Sequence, residues 1–203
     1  LVKYGNENLS NERVHALDAT YSHYTQKFSL MLSASYQFSN NKVEEYFFSQ
    51  LDDKGNRILH QTYTDKGKMR SLGFNLFTQY VPVSWLRLYL QSNLSFVTLD
   101  ASGIKINGKD DYGNTVMKGL GGNSFMGATF TLPKNWSLGV NAGIFIQPPT
   151  INLKSFWGSW HHLSVSKSFL KQRLTVSGWI SNPLSPWYDL RIAMSSPSFT
   201  GET

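Results

Sequence analysis

Leu86-Arg87-Leu88-Tyr89-Leu90-Gln91-Ser92-Asn93-Leu94-Ser95-Phe96 alternates apolar with polar side chains. Apolar side chains fall on Leu86, Leu88, Leu90, Leu94 and Phe96, with Ser92 filling one place in the series. Arg87, Tyr89, Gln91, Asn93 and Ser95 fall between them. Alternation with a period of two belongs to a β-strand, because successive side chains leave its two faces in turn. One face of this strand is therefore apolar and the other polar.

The same pattern recurs in both directions along the chain. Phe28, Leu30, Leu32, Ala34, Tyr36 and Phe38 alternate with Ser29, Met31, Ser33, Ser35 and Gln37. Leu72, Phe74, Leu76, Thr78 and Tyr80 form another series, as do Met126 to Leu132, Trp136 to Ile144 and Leu174 to Ile180. The periodicity predicts strands at about 13–24, 27–48, 57–81, 85–99, 119–132, 136–147, 159–169 and 173–182. A further strand is expected from near Tyr188. No segment keeps helical spacing beyond a turn or two, so the fold class is all-β, an antiparallel up-and-down sheet.

Connections between these strands alternate in length. Short turns are read at 24–27, 82–84, 133–135 and 170–172, and longer polar connections at 49–56, 100–118 and 148–158. Short turns at one end with long loops at the other are the pattern of transmembrane β-barrels. Tyr24, Phe28, Tyr80, Trp85, Phe130, Trp136 and Phe169 flank the short turns. Amphipathic rings favour the membrane–water boundary, so these seven are expected to form an interface girdle.

Composition agrees with a membrane wall. Charged residues are 16% of the chain and aromatics 14%, against roughly a quarter charged in an ordinary soluble domain. The polar face is made of Ser, Asn, Gly, Gln and Thr, with Arg87 and Lys167 read as its charged exceptions. In a soluble eight-stranded barrel so many large apolar side chains would crowd a narrow interior; turned outward into lipid, they crowd nothing. Leu88, Leu90, Leu138 and Val140 are expected to face lipid, and Arg87, Asn75, Asn93 and Asn141 the lumen. There is no apolar run long enough for a transmembrane helix. The net charge is +6, but Lys and Arg are scattered without a run, so nucleic acid is not expected as a partner.

Little in the chain points to chemistry. Ser164-Val165-Ser166-Lys167 has the S-x-x-K form of a nucleophile motif, but that motif needs a helix start. His161 and His162 are adjacent, so in a strand their rings face opposite ways and cannot share a metal without distortion. Asp52-Asp53 and Asp110-Asp111 lack the alternating spacing of a calcium loop and read as turns. No cofactor, metal or enzymatic activity is expected. Trp157 and Trp160, read as lying in or beside a long loop, are candidate ligand contacts, together with Arg87 and Asn93.

Several stretches resemble a known family. Gly5-Asn6-Glu7-Asn8-Leu9-Ser10-Asn11-Glu12 is similar to a Gly-Asn-Pro-x-Leu-x-Pro-Glu segment that precedes a barrel strand. Thr131-Leu132-Pro133-Lys134-Asn135-Trp136-Ser137-Leu138 resembles a "TLPKGWSL" turn, and Lys167 to Val176 a "KSFLDKRLTL" turn. Ile180-Ser181-Asn182-Pro183-Leu184 resembles "VNDPF". These strings, in this order, are those of the C-terminal barrel half of TonB-dependent receptors of Bacteroidetes. The resemblance implies a barrel of about 22 strands in the bacterial outer membrane. It also implies a plug domain as partner, TonB acting through that plug, and uptake of a bulky scarce ligand such as a siderophore, a glycan or a peptide. Residues 1–203 are then expected to be part of one barrel domain, truncated at both ends and without its plug. The alternative is a small structural or binding barrel that imports nothing.

Overall fold

A computed structural model describes residues 1–105, 115–153, 156–185, 193–196 and 199–202. Eight long strands run up and down in sequence order: β2 (His15–Tyr24), β3 (Phe28–Leu51), β4 (Arg57–Val83), β5 (Leu86–Asp100), β6 (Val116–Leu132), β7 (Trp136–Gln147), β8 (Phe156–Phe169) and β9 (Leu174–Ser181). Each pairs antiparallel with the next, and β2 and β9 are the sheet edges. A two-residue strand, β1 (Val2–Lys3), pairs parallel with His60 and Gln61 of β4. A separate small hairpin joins β10 (Ala193–Ser196) to β11 (Phe199–Glu202). The strand expected near Tyr188 begins outside the described residues.

The register carries the alternation from strand to strand without slipping. Leu32 lies opposite Leu76, Leu76 opposite Ser92, Ser92 opposite Ser124 and Ser124 opposite Ile144. Directly opposed residues share a face, so the alternating apolar series of the wall strands line one face together. That face is the exposed one: Phe74, Phe96 and Met126 are each half or more exposed. The other face is crowded. A methyl added at Gly143 would stand 2.7 Å from Phe125 and from Trp160, whereas one added at Gly178, on the apolar face, would meet nothing within 4 Å. Side chains converge on the concave side of a curling sheet and spread on the convex side. The polar face is therefore the inner one, and the apolar face is turned to lipid.

At the short-turn end, backbone geometry is forced by length. Pro133-Lys134-Asn135 closes β6 onto β7 with Lys134 at φ 60° and Asn135 at φ 59°. Leu170, Lys171 and Gln172 all take positive φ to close β8 onto β9. Asn tolerates this region better than other non-glycine residues, and Asn135 stands where the similar family string has glycine.

The opposite end differs from expectation. The connection read as a loop at 49–56 is a five-residue turn, because β3 runs on to Leu51 and β4 starts at Arg57. Asp52 closes it by accepting from the N–H groups of Lys54 (2.9 Å) and Asn56 (2.7 Å) and from the Asn56 side chain (3.0 Å). These local bonds hold the Asp52 carboxyl below the usual carboxylate range. The β3–β4 hairpin thus rises far above the roughly ten residues that cross a bilayer. Where it leaves the wall, two β-bulges follow each other. Ser39 pairs with Met69, Lys42 with Gly67 and Glu44 with Thr64. One extra residue lies first in β3 and then in β4, so the register recovers while both strands change phase. Below the bulges the inner residues are odd-numbered; above them they are Glu44, Tyr46, Phe48, His60, Thr62 and Thr64. The buried apolar cluster of the described residues confirms the switch. Phe48 packs there with Leu99, Ala101, Ile104 and Ile151, and Met69 and Met117 pack against it.

Candidate functional site: the inner wall and the strapped hairpin

Two features on the inner side gather polar and aromatic groups. The first is the wall itself. Ser33, Asn75, Asn93 and Asn123 stand opposite one another on four consecutive strands, a row of neutral hydrogen-bonding groups across the lumen face. Below it, the Tyr89 hydroxyl donates to Asn141 Oδ1 at 2.7 Å. These two residues lie on β5 and β7, and the bond spans β6 because Gly127 between them has no side chain. Asn75, Asn93, Asn141 and Arg87 all fall on this face, as the alternation predicts. Asn123 was not singled out from sequence, though its place in the Met126–Leu132 phase was the available signal.

The candidate ligand contacts are not brought together as a group. Trp157 and Trp160 are both in β8 rather than in a loop, and three residues apart they take opposite faces. Trp160 lies on the inner face, tilted against Phe125 with ring centroids 5.7 Å apart. Trp157 is opposite Ile146 on the apolar face and is 67% exposed. Arg87 and Asn93 share the inner face with Trp160, Arg87 at its short-turn end. The neighbouring His161 and His162 do point opposite ways, His161 sharing a face with Ala142 and His162 with Asn141. His161 Nε2 accepts from the Leu184 N–H at 2.9 Å. Ser164 and Lys167 sit within β8. Among the described residues no three His, Cys, Asp or Glu side chains are grouped to hold a metal ion. The Asp110-Asp111 pair lies outside the described residues.

Four of the seven aromatics expected at the interface meet in pairs. Phe28 meets Tyr80 edge-on at 6.4 Å, and Trp85 stacks with Phe130 at 6.3 Å. Trp136 and Phe169 close around the Lys167 ammonium, at 4.8 and 5.7 Å from their ring centres. Lys167 corrects the expectation of a polar-face residue: it stands opposite Trp136 and Val176 on the apolar face. Its stem lies along that face, and its Nζ reaches the Lys134 carbonyl at the turn, which is how a long cation escapes hydrocarbon. Tyr24 departs from the other six, since its partner Ser29 puts it on the polar face.

The second feature is at the top of the β3–β4 hairpin. β5 stops pairing with β4 at Lys68, and β1 takes the vacated edge. The chain then crosses the inner face of the hairpin to reach β2 on the far side. This strap is held by side chains: Asn6 Nδ2 donates to the Tyr63 carbonyl (2.9 Å), and the Ser10 N–H and hydroxyl both donate to Asp65 Oδ2. Glu12 Oε2 meets Lys42 Nζ at 3.3 Å and accepts the Val43 N–H. The Ser10 bonds hold the Asp65 carboxyl well below the usual carboxylate range. Glu44, by contrast, is pushed up by burial despite Lys42 nearby. Between strap and hairpin lies a pocket of about 310 Å³, lined by Tyr4, Gly5, Asn6, Glu7, Asn8, Tyr46, Phe48 and Thr62. Its floor holds Thr62 Oγ1, buried without a hydrogen-bond partner. Sequence reading saw only a family-like segment at 5–12; the strap depends on long-range pairing that no local pattern encodes.

An antiparallel sheet with an apolar outer face, a mostly polar inner face and one-sided long hairpins defines the wall of a transmembrane β-barrel. The chain belongs to the outer membrane protein beta-barrel family, whose model matches residues 1–195, and its location is the bacterial outer membrane. No curated protein and no solved structure matches it.

Proposed function

We propose that this chain is wall and outer-loop structure of a TonB-dependent receptor, importing a bulky, scarce ligand such as a siderophore, a glycan or a peptide. Its partners would be the remaining strands of the barrel, a plug domain within it, and TonB acting through that plug. The chain itself would do no covalent chemistry. The observation that carries this reading is the open sheet: among the described residues β2 and β9 each pair on one side only. A small barrel of these eight strands would join them. The Asn row and Trp160 would then contribute to the lining of a wide lumen, and the strapped hairpin would stand over its mouth.

The test uses the absence of cysteine from these 203 residues. Cysteine pairs are introduced between positions 15–24 and 174–181 of the intact protein and oxidised in outer membranes, with Ala19→Cys and Ala34→Cys, directly opposed on β2 and β3, as the positive control. The receptor reading expects the control to cross-link and no β2–β9 pair to do so. A ladder of cross-linked β2–β9 pairs would establish a closed eight-stranded barrel and remove the basis for import.

A further inference from the structure

The basic residues, scattered in sequence, are sorted by the fold. Lys27 lies in the turn between β2 and β3, and Arg87 next to the turn between β4 and β5. Lys134 is in the β6–β7 turn, Lys167 near the end of β8, and Lys171 and Arg173 in the β8–β9 turn. No Asp or Glu occurs in residues 19–43, 66–99 or 112–188, the segments that contain all four short turns. Glu7 and Glu12 lie on the strap, Glu44, Glu45, Asp52, Asp53 and Asp65 on the tall hairpin, and Asp18 within β2; both ion pairs of the described residues, Lys42–Glu12 and Lys66–Asp65, are at the strap and hairpin. Consecutive hairpins are two strands apart, about 10 Å in a sheet. The short-turn rim is therefore a row of cations unopposed by acidic residues.

This row coincides with the aromatic girdle, which fixes its depth at the membrane boundary. Lys167 shows the arrangement at atomic scale. Rooted on the lipid face between Trp136 and Phe169, it extends to the Lys134 carbonyl. Short turns of such barrels face the periplasm, so the rim meets the phospholipid leaflet of the outer membrane. Its chemistry calls for an anion held at headgroup depth and delivered from the lipid side.

We infer that the short-turn rim is a binding surface for anionic phospholipid headgroups, with Lys134, Lys167, Lys171 and Arg173 around the β6–β9 turns as its densest part. Bidentate guanidinium and point-charge ammonium groups both suit phosphate oxygens, and the adjacent rings accept the glycerol and upper acyl region. Attraction of a basic residue to an anionic leaflet is worth roughly fivefold in affinity per charge, and it falls with salt. The rim is the same whether the wall belongs to a large receptor or to a small closed barrel, so it stands apart from the question of import.

The experiment is lipid retention by the intact protein, purified in neutral detergent with equal phosphatidylglycerol and phosphatidylethanolamine and read by native mass spectrometry. The wild type is expected to keep phosphatidylglycerol at least tenfold in preference, with the preference shrinking as ionic strength rises. The variant Lys134→Gln/Lys167→Gln/Lys171→Gln/Arg173→Gln should retain both lipids equally while still migrating as a folded barrel on an unboiled gel. If that variant fails to fold, the salt series on the wild type decides alone. Equal retention by the wild type, a preference indifferent to salt, or displacement of the lipid by millimolar inorganic phosphate would overturn the proposal. The last outcome would point to a free-anion site instead.

Discussion

At the scale of single residues, glycine and aspartate positions carry the sharpest consequences. Gly127 lies under the Tyr89–Asn141 bond, and a methyl there would collide with the Asn141 amide and stand 2.6 Å from the Tyr89 ring. Gly127→Ala is expected to cost about 1–3 kcal/mol, the usual range for overpacking, and Gly178→Ala close to nothing; urea unfolding in liposomes separates them. Equal costs would mean that the crowded face has been misassigned. Asp65 gives a pH prediction. Its folded pKa is depressed by the Ser10 bonds, so the stabilisation is present above the ordinary carboxylate value of about 3.9 and is lost as pH falls through the folded value. Protection of the Ser10 N–H, measured against its intrinsic exchange rate, should hold from pH 8 to 5 and fall only in stronger acid, and Asp65→Asn should lower it at every pH. Inner-face residues such as Asn75, Asn93 and Asn141 were legible from alternation alone, because parity is a local property. The partners of Asp65, Glu12 and Thr62 were not, because each is set by a strap that arrives from the far end of a hairpin.

At the scale of elements, the wall strands were readable nearly to the residue wherever one face meets lipid and the other the lumen. Two environments impose two polarities, and the period of two records them. Arg placed at Leu90, on the lipid face, is expected to cost about 2–4 kcal/mol near the midplane and to block assembly, whereas Arg at Asn93 should be accepted; heat-modifiable migration of each variant is the readout. The turns obey backbone chemistry rather than polarity. Asn135 sits at φ 59°, so Asn135→Val should lose about 1–2 kcal/mol while Asn135→Gly is harmless, as measured by refolding yield of the purified chain. Legibility failed at β8, which begins at Phe156 and takes in residues assigned to a loop. The neighbouring prolines and tryptophans resemble loop composition, and a wet rim above the bilayer no longer enforces alternation. It failed again at Lys167, whose charge argued for the polar face. The rule that charges avoid lipid applies to the ammonium group, and a long stem lets the backbone position disobey it.

At the scale of the whole molecule, the alternation of short and long connections gave the topology, and the two-sided distribution of charge followed only once the hairpins were stacked. What sequence did not reveal is the upper storey: the strap, the pocket and the cluster around Phe48. Tyr46-Phe47-Phe48 breaks the alternation and was the visible trace of the bulges below it. Those paired bulges act as a phase slip between two independently tuned patterns. Because each strand carries one extra residue, the storeys keep a common register but hold separate records of which side is in. Evolution can therefore rewrite the exterior hairpin by insertion, deletion or exchange of its tip without turning a single lipid-facing side chain of the wall inside out. The reverse also holds: removing one residue from each strand just above the slip, with both bulges kept, would leave the pairing intact and invert the upper storey alone, presenting Glu45, Phe47 and Tyr63 to the mouth in place of the Tyr46, Phe48 and Thr62 surface.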